Sequence, residues 1–444
     1  MGTVVRAIMV DANGDVKEEK EQTYYVSLAQ KSDYQNVPVI SIVTDGSNLF
    51  DYASGIYMSG RSHEDSLVKG EDGTKSGNYY NGWKKDAQID FFEDGKALTY
   101  QGDASLQMLI DGSITLQQKS FTTKLSVLPS EGSSLSEYVS SEKGTLDIST
   151  YGADNTYKTR EYIISQLLSG RAVGTADLTP CIVFINGEYW GDYMLKKPYD
   201  AAYIEEHYGI SGEKLQFAAA AGYNEDFKSL YDFVTKNDMS DTKNYAQVES
   251  RMDMQSFLDY ICTNMYISNA GFSIYHGTAW RTTDKGTGKY EDGKWRWLMG
   301  DVADTMNNTG SDGVTTYTAD SFLMETFAKE PFIQSLLMNK NFCQALSDTM
   351  SQLATDTFLT DKTDPVITKA SKQIQKLAVN TDDRFYGNIT KNGYDSEMEN
   401  ISDFFANRVN YILGYTKEIA EAGGSKAAIA GSSASTDASN GASE

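Results

Sequence analysis

The N-terminal half of the chain alternates apolar and polar residues in short runs, and the C-terminal third repeats apolar residues at helical spacing. Residues 3–26 predict a β-hairpin: a strand over 4–10, a turn at Asp11-Ala12-Asn13-Gly14-Asp15 and a strand over 22–26. Residues 38–44 form a short apolar strand, 83–92 and 105–110 two more, and 60–82, rich in Gly, Ser, Asp and Asn, a surface loop. The clearest hairpin runs from Cys181 to Leu195 around Asn186-Gly187, the dipeptide that accepts the positive φ angles of a two-residue turn. Helices follow at about 157–168, 201–208, 225–236, 253–267, 320–329, 332–355 and 366–378. A last one carries Ile401, Phe405, Val409, Ile412 and Ile419 on one stripe.

Between the helical patterns lies Trp295-Arg296-Trp297-Leu298-Met299, which reads as a strand buried on at least one face. It runs into Asp301, Asp304, Asn307 and Asn308, whose side chains all offer oxygen donors. Two readings fit. Carboxylates held at the end of a buried strand suit a hard cation such as Mg²⁺, and Asp and Asn also form turns by bonding their own backbone.

Composition narrows the classes. The 444 residues exceed an average single domain yet allow one elaborated α+β domain, and 40% hydrophobic residues suffice for a large core. Lys plus Arg number 39 against 62 Asp plus Glu, a net charge of −23 that disfavours nucleic acid and anionic membrane surfaces. Cys181, Cys262 and Cys343 are far apart among apolar neighbours and read as buried thiols, which excludes a disulfide framework and a Cys-based zinc site. His63, His207 and His276 form no ligand cluster, and His207 has the place of a helix C-terminal residue. Catalysis, if present, must use carboxylates, a lysine or a hydroxyl. No apolar run is long enough to span a membrane, the first residues lack the pattern of a signal peptide, and both ends read as cut.

Several segments together resemble the CotH kinase-like family, atypical kinases named for a spore coat protein. They are Asn48-Leu49-Phe50-Asp51 with Gly55-Ile56-Tyr57, Gln117-Gln118-Lys119-Ser120-Phe121, the 181–195 hairpin, the 295–307 run, and Phe404-Phe405-Ala406-Asn407-Arg408. The resemblance spans about residues 38–420. It implies an α+β, atypical protein-kinase-like domain with mixed and antiparallel sheets and a helical C-terminal part. The domain would occupy 31–422, after a hairpin (1–30) left from a preceding β-sandwich and before a Gly/Ser/Ala-rich tail (423–444).

The same resemblance implies ATP- and Mg²⁺-dependent phosphorylation of protein Ser or Thr at a bacterial surface or spore coat, with a protein substrate or surface partner. It would place Lys119 on the nucleotide phosphates, where residue pattern alone reads a solvated lysine. Asp301 would be the principal metal ligand and, with Lys119, a catalytic residue, Asp304 a second metal ligand, and Asn307 and Asn308 would assist with the nucleotide.

Departures from the family pattern leave a second reading open. Ala303 stands in place of the second acid of a D-x-D element, and Ala270 in place of the aspartate of an N-x-D-G segment. Leu109 replaces an arginine, and Lys196 and Lys197 stand where a glutamate is usual. An alanine neither accepts a proton nor binds a metal, so the alternative is a pseudokinase serving as a surface binding or scaffold module. A carbohydrate-handling role would need paired acids in an aromatic cleft, which nothing in the sequence localises.

Overall fold

The computed structural model describes residues 2–25 and 36–425, except 71–72, 74, 95–96, 141–142, 153, 219–223, 270–271, 273, 275–278, 308–317, 319–326 and 328. The chain divides into two compact units. The first comprises Met1–Thr159, Asp177–Tyr203 and Lys372–Tyr394, and the second Arg160–Ala176, Ile204–Ser371 and Asp395–Glu444. The α+β class read from the sequence holds.

The first unit is built on a hairpin and a closed barrel. Strands β1 (Gly2–Val10) and β2 (Val16–Tyr25) form the hairpin. Strands β3 (Val39–Val43), β4 (Lys85–Glu93), β5 (Ala97–Met108), β6 (Phe121–Leu125), β7 (Thr145–Ser149), β8 (Leu178–Ile185) and β9 (Glu188–Lys196) close in the order β3-β4-β5-β6-β7-β9-β8. Every pairing is antiparallel except β3–β8, which closes the barrel in parallel register from Val39↔Ile182 to Ile42↔Ile185. Closure satisfies the edge groups that an open sheet would leave to solvent. Alternate residues of the strands, among them Ile40, Ile42, Ile89, Phe91, Leu106, Phe121, Ile148, Val183 and Leu195, fill one buried cluster. The β8–β9 turn is the predicted one, with Asn186 at φ 51° and Gly187 at φ 81°.

One expectation for this unit fails. The polar stretch from residue 60 is not all loop: Gly60–Val68 is a helix. Its N-terminus has no side-chain cap of its own. Buried Asn78 serves instead, accepting from the Ser62 N–H (3.2 Å) and hydroxyl (2.8 Å) and donating to the Tyr52 carbonyl (3.0 Å).

The second unit centres on the helix Met254–Tyr266, buried at every residue from Ser256 to Tyr266. A helix with no polar face belongs inside a core. Around it in sequence are helices Glu225–Lys236, Thr242–Arg251, Pro331–Leu337, Lys340–Gln352 and Lys391–Glu421. A small sheet joins β10 (Leu215–Ala218), β11 (Ala279–Thr282) and β12 (Arg296–Trp297). Phe257 is tilted against Trp297 (centroids 4.7 Å) and edge-on to Phe332 (5.6 Å), so aromatic packing ties this helix to the tryptophan strand.

The helix expected at 366–378 is longer, Thr360–Phe385. The one expected at 320–329 lies almost wholly outside the described residues, as does the tail from 426. Cys181, Cys262 and Cys343 are buried free thiols, and His207 lies in the last turn of the helix Ala201–Tyr208, as read. No helix among the described residues is long and apolar enough to cross a membrane.

Candidate functional site

In the second unit the aromatic run is shorter as a strand than its alternation suggests, because only Arg296 and Trp297 pair as β12. Both faces are covered: Trp295, Arg296, Trp297, Leu298 and Met299 are all buried. The backbone is held from two sides. The Asp253 N–H donates to the Trp295 carbonyl (2.9 Å), and the Trp297 N–H to the Ser256 hydroxyl (2.9 Å). Gly174 donates to the Trp297 carbonyl (3.1 Å) and accepts from Met299 (2.7 Å). Core packing therefore fixes where the following loop, 301–307, starts.

That loop is bonded to the end of the central helix. Asn269, itself buried, donates from Nδ2 to the Asp301 carbonyl (2.9 Å) and to Asn264 Oδ1 (2.7 Å), and the Met306 N–H donates to the Ile267 carbonyl (3.0 Å). Residues 267–269 and 301–307, the two segments that carry the family resemblance here, thus lie side by side. Arg408 secures the junction. Fully buried, it donates from Nε to the Tyr266 carbonyl (3.0 Å) and from Nη2 to the Met265 carbonyl (3.0 Å), which also accepts from the Ser268 N–H (3.3 Å), at the end of the helix where carbonyls lack intrahelical partners.

The loop's oxygen donors are largely engaged with the loop itself. Asp301 and Asp304 are exposed. Asp301 Oδ1 accepts from the Ala303 N–H (2.9 Å), and Asp304 Oδ1 from Asn307 Nδ2 (2.8 Å). Asn307 Oδ1 accepts from Arg160 Nη2 (2.9 Å), whose Nε donates to the Thr305 carbonyl (2.7 Å) and whose guanidinium pairs with Glu397. Buried Ala303 has no side-chain oxygen to offer a metal, while Asn308 and Ala270 lie outside the described residues. Mg²⁺ asks for near-octahedral oxygen geometry, usually with one or two carboxylates. Here one amide oxygen is taken by a guanidinium, and each acid spends an oxygen on a turn. Each acid keeps its other carboxylate oxygen, so the loop presents two exposed acids, Asp301 and Asp304, without the acid of the family's D-x-D element at position 303.

Arg160 and Glu397 escaped the sequence reading. Their only signal was the place of Arg160 at the head of a helix, Arg160–Leu167.

Lys119 belongs to the first unit. It is not the solvated lysine that pattern alone suggests: it is 6% exposed, beneath the rings of Tyr57 (5.4 Å) and Tyr79 (5.0 Å), with Nζ donating to the Leu116 carbonyl. Among the described residues no carboxylate pairs with it, and burial brings its pKa down to about 8. The neighbouring Gln118 was also overlooked. Fully buried, it donates from Nε2 to the Asp192 carbonyl (3.0 Å) and accepts from Lys158 Nζ (2.9 Å).

Lys158 and Asp192 are buried ionisable groups with a measurable consequence. Burial pushes Asp192 up to about 7, against the pull of Lys158 and the Tyr151 hydroxyl, and brings Lys158 down to about 8, against Asp192, Asp154 and Asp382. A carboxyl raised on folding contributes stability at low pH that is lost as pH rises from about 4 to about 7. A lysine lowered on folding contributes stability at high pH that is lost as pH falls from about 10.5 to about 8. The pair should therefore place a minimum of stability between its two limbs. In urea titrations, Asp192→Asn should remove an acid-side slope approaching about 1.4 kcal/mol per pH unit. An unchanged slope would mean that Asp192 titrates normally.

The architecture, a closed barrel unit and a helix-rich unit carrying the 267–269 and 301–307 loops, is that of an α+β protein. The chain belongs to the CotH kinase protein family, whose model matches residues 98–412. With that family comes a general expectation of nucleotide and metal use. No curated protein matches the chain. A solved structure of the Shewanella oneidensis MR-1 toxin–antitoxin system HipA, HipB and its operator DNA is similar at 13% identity and a TM-score of 0.25. The match covers 62% of this chain and 60% of that one, so the chain spans about three fifths of that neighbour's length. A likeness of this degree carries no argument.

Proposed function

We propose that this chain is a catalytically silent CotH-family protein, a pseudokinase that works as a binding or scaffold module on a bacterial surface or spore coat. The carrying observation is the donor set of the 301–307 loop: Asp301 bonded to Ala303, Asp304 to Asn307, and Asn307 to the Arg160 guanidinium. The alanines at 270 and 303 support it from the sequence, because phosphoryl transfer depends on positioned charge neutralisation. In this reading residues 31–422 remain one family domain, preceded by an added hairpin and followed by a linker-like tail.

A second reading keeps ATP- and Mg²⁺-dependent Ser/Thr kinase activity. Asp301 is then the catalytic acid and main metal ligand, Asp304 replaces the lost acid, Asn307 and Asn308 assist, and Lys119 meets the phosphates. One observation favours it: Asp301 and Asp304 are both exposed, on a loop bonded to residues 267–269. Thermal unfolding in millimolar Mg-ATP separates the two, because a ligand bound only by the native state raises the melting point. The pseudokinase reading expects no shift and no autophosphorylation.

A further inference from the structure

Lys158 and Gln118 meet inside the first unit. Both side chains are fully buried, and Lys158 Nζ is 2.9 Å from Gln118 Oε1. A carbonyl carbon lies about 1.23 Å from its oxygen, so Nζ is no farther than about 4.1 Å from Gln118 Cδ. The amide is held in one orientation. Its Nε2 donates to the Asp192 carbonyl (3.0 Å) and the Trp190 carbonyl (3.4 Å), which leaves Oε1 for the amine. A Cβ at Gly191, whose φ is 113°, would fall 2.7 Å from that Nε2, so only glycine leaves room for the amide there. Lys158 itself has φ 63°, and Tyr151, whose ring lies 5.0 Å from the amine, has φ 70°. Side chains rarely adopt such conformations, and they cluster at functional sites.

The amine is poorly placed to carry charge. An ammonium has three donors. Among the described residues Lys158 Nζ has one hydrogen-bond partner, one aromatic ring and no ion pair. Burial therefore favours the neutral amine, which is the nucleophilic form, and brings its pKa to about 8. The carboxyl that acts most strongly on it is Asp192, ahead of Asp154 and Asp382. Fully buried and bonded to the Tyr151 hydroxyl (3.3 Å), Asp192 is pushed up to about 7 and so holds a proton part of the time near neutrality.

We propose that Lys158 and Gln118 join in a side-chain isopeptide bond. The Nζ–Cδ bond forms, the Cδ–Nε2 bond breaks and ammonia leaves. One proton passes from Nζ to the departing nitrogen, with Asp192 as its carrier, and nothing is oxidised or reduced. Holding the two groups in contact replaces a bimolecular collision, equivalent to an effective concentration of about 10⁵–10⁸ M in well-oriented cases. A dry core then keeps water from the product. The bond closes residues 118–158 into a ring, in a chain whose cysteines are all free, and so restricts the unfolded state. Once bonded the amine no longer titrates, so the alkaline limb of stability described above belongs to the unbonded chain. None of this depends on nucleotide.

Mass spectrometry of the full chain tests this. The unaltered chain should be lighter than its sequence by one ammonia, about 17 Da. Trypsin does not cut after a bonded lysine, and should release residues 97–119 joined to residues 144–160. Lys158→Arg keeps a donor for Gln118 but supplies no nucleophile, since a guanidinium stays protonated, and should keep its full mass. In chain made by cell-free synthesis and followed over time, Asp192→Asn should lose ammonia about a hundredfold more slowly, the low end of what a positioned acid or base contributes. An equal rate would strike Asp192 as the proton carrier. Should Lys158→Arg fold poorly, the peptide map of the unaltered chain decides alone. Full mass, with the two peptides released separately, would leave an ordinary hydrogen-bonded pair and overturn the proposal. The same loss mapped instead to an Asn–Gly pair, which also sheds ammonia on closing to an imide, would overturn it equally.

Discussion

Arg408→Ala should lower the stability of the protein by roughly 3–6 kcal/mol, from two charged hydrogen bonds at about 1.5–3 kcal/mol each. The side chain is fully buried, and its guanidinium covers the Met265 and Tyr266 carbonyls at the end of the core helix. Without it the Tyr266 carbonyl stays in the core with no bulk water to bond, the Met265 carbonyl keeps only its backbone partner, and the packing of the aliphatic stem is lost as well. Arg408→Lys should recover only part of the loss, since one ammonium cannot reproduce a planar fork across two successive carbonyls. Urea unfolding followed by circular dichroism measures both variants. A loss below about 1 kcal/mol for the alanine variant would place the guanidinium in water and remove it as the anchor of residues 267–269.

The second large effect is a gain. Ala270→Asp combined with Ala303→Asp should make the chain respond to Mg²⁺. Position 303 is buried, so the added carboxyl is desolvated in the absence of metal, and the double variant should begin less stable than the parent. If Mg-ATP then binds at a hundredfold excess over its dissociation constant, the native state gains about 2.7 kcal/mol. Autophosphorylation should rise from background by about 10²–10⁴-fold, the range that positioned acid–base groups contribute. Asp301→Asn added to the double variant should abolish both gains. A double variant that ignores Mg-ATP would show that the missing acids are not what silences the chain, and would turn attention to Lys119, which has no carboxylate partner among the described residues.

Much of the fold was legible because it rests on local chemistry. Asn186-Gly187 predicted its hairpin from the φ angles that dipeptide accepts, and both angles are positive. The stripe Ile401, Phe405, Val409, Ile412 and Ile419 predicted the last helix; Ile401, Phe405 and Ile412 are buried, and Val409 and Ile419 are half-buried. Even the missed helix Thr242–Arg251 had a readable start: Asp241 caps it by accepting from the Lys243 N–H at 2.7 Å.

What could not be read depends on distant partners. The helix Gly60–Val68 takes its cap from Asn78, beyond its own C-terminus. Burial of Lys119 beneath Tyr57 and Tyr79 is a product of barrel closure, which no local pattern encodes. Arg160 and Glu397, the pair that ties down the acidic loop, are 237 positions apart. The oxygen donors themselves were found from sequence. Their engagement in turn bonds was also foreseeable as one of two readings, since Asp and Asn satisfy neighbouring backbone amides when no ligand competes.

Silence at the acidic loop is the claim on which the functional reading stands, and one comparison tests it most directly: the melting temperature of the unaltered chain in buffer, in millimolar Mg-ATP, and in millimolar ATP with chelator. The account predicts three coincident transitions. A transition raised only by Mg-ATP would mean that Asp301 and Asp304 leave their turn bonds to hold a metal–nucleotide complex, and would contradict it.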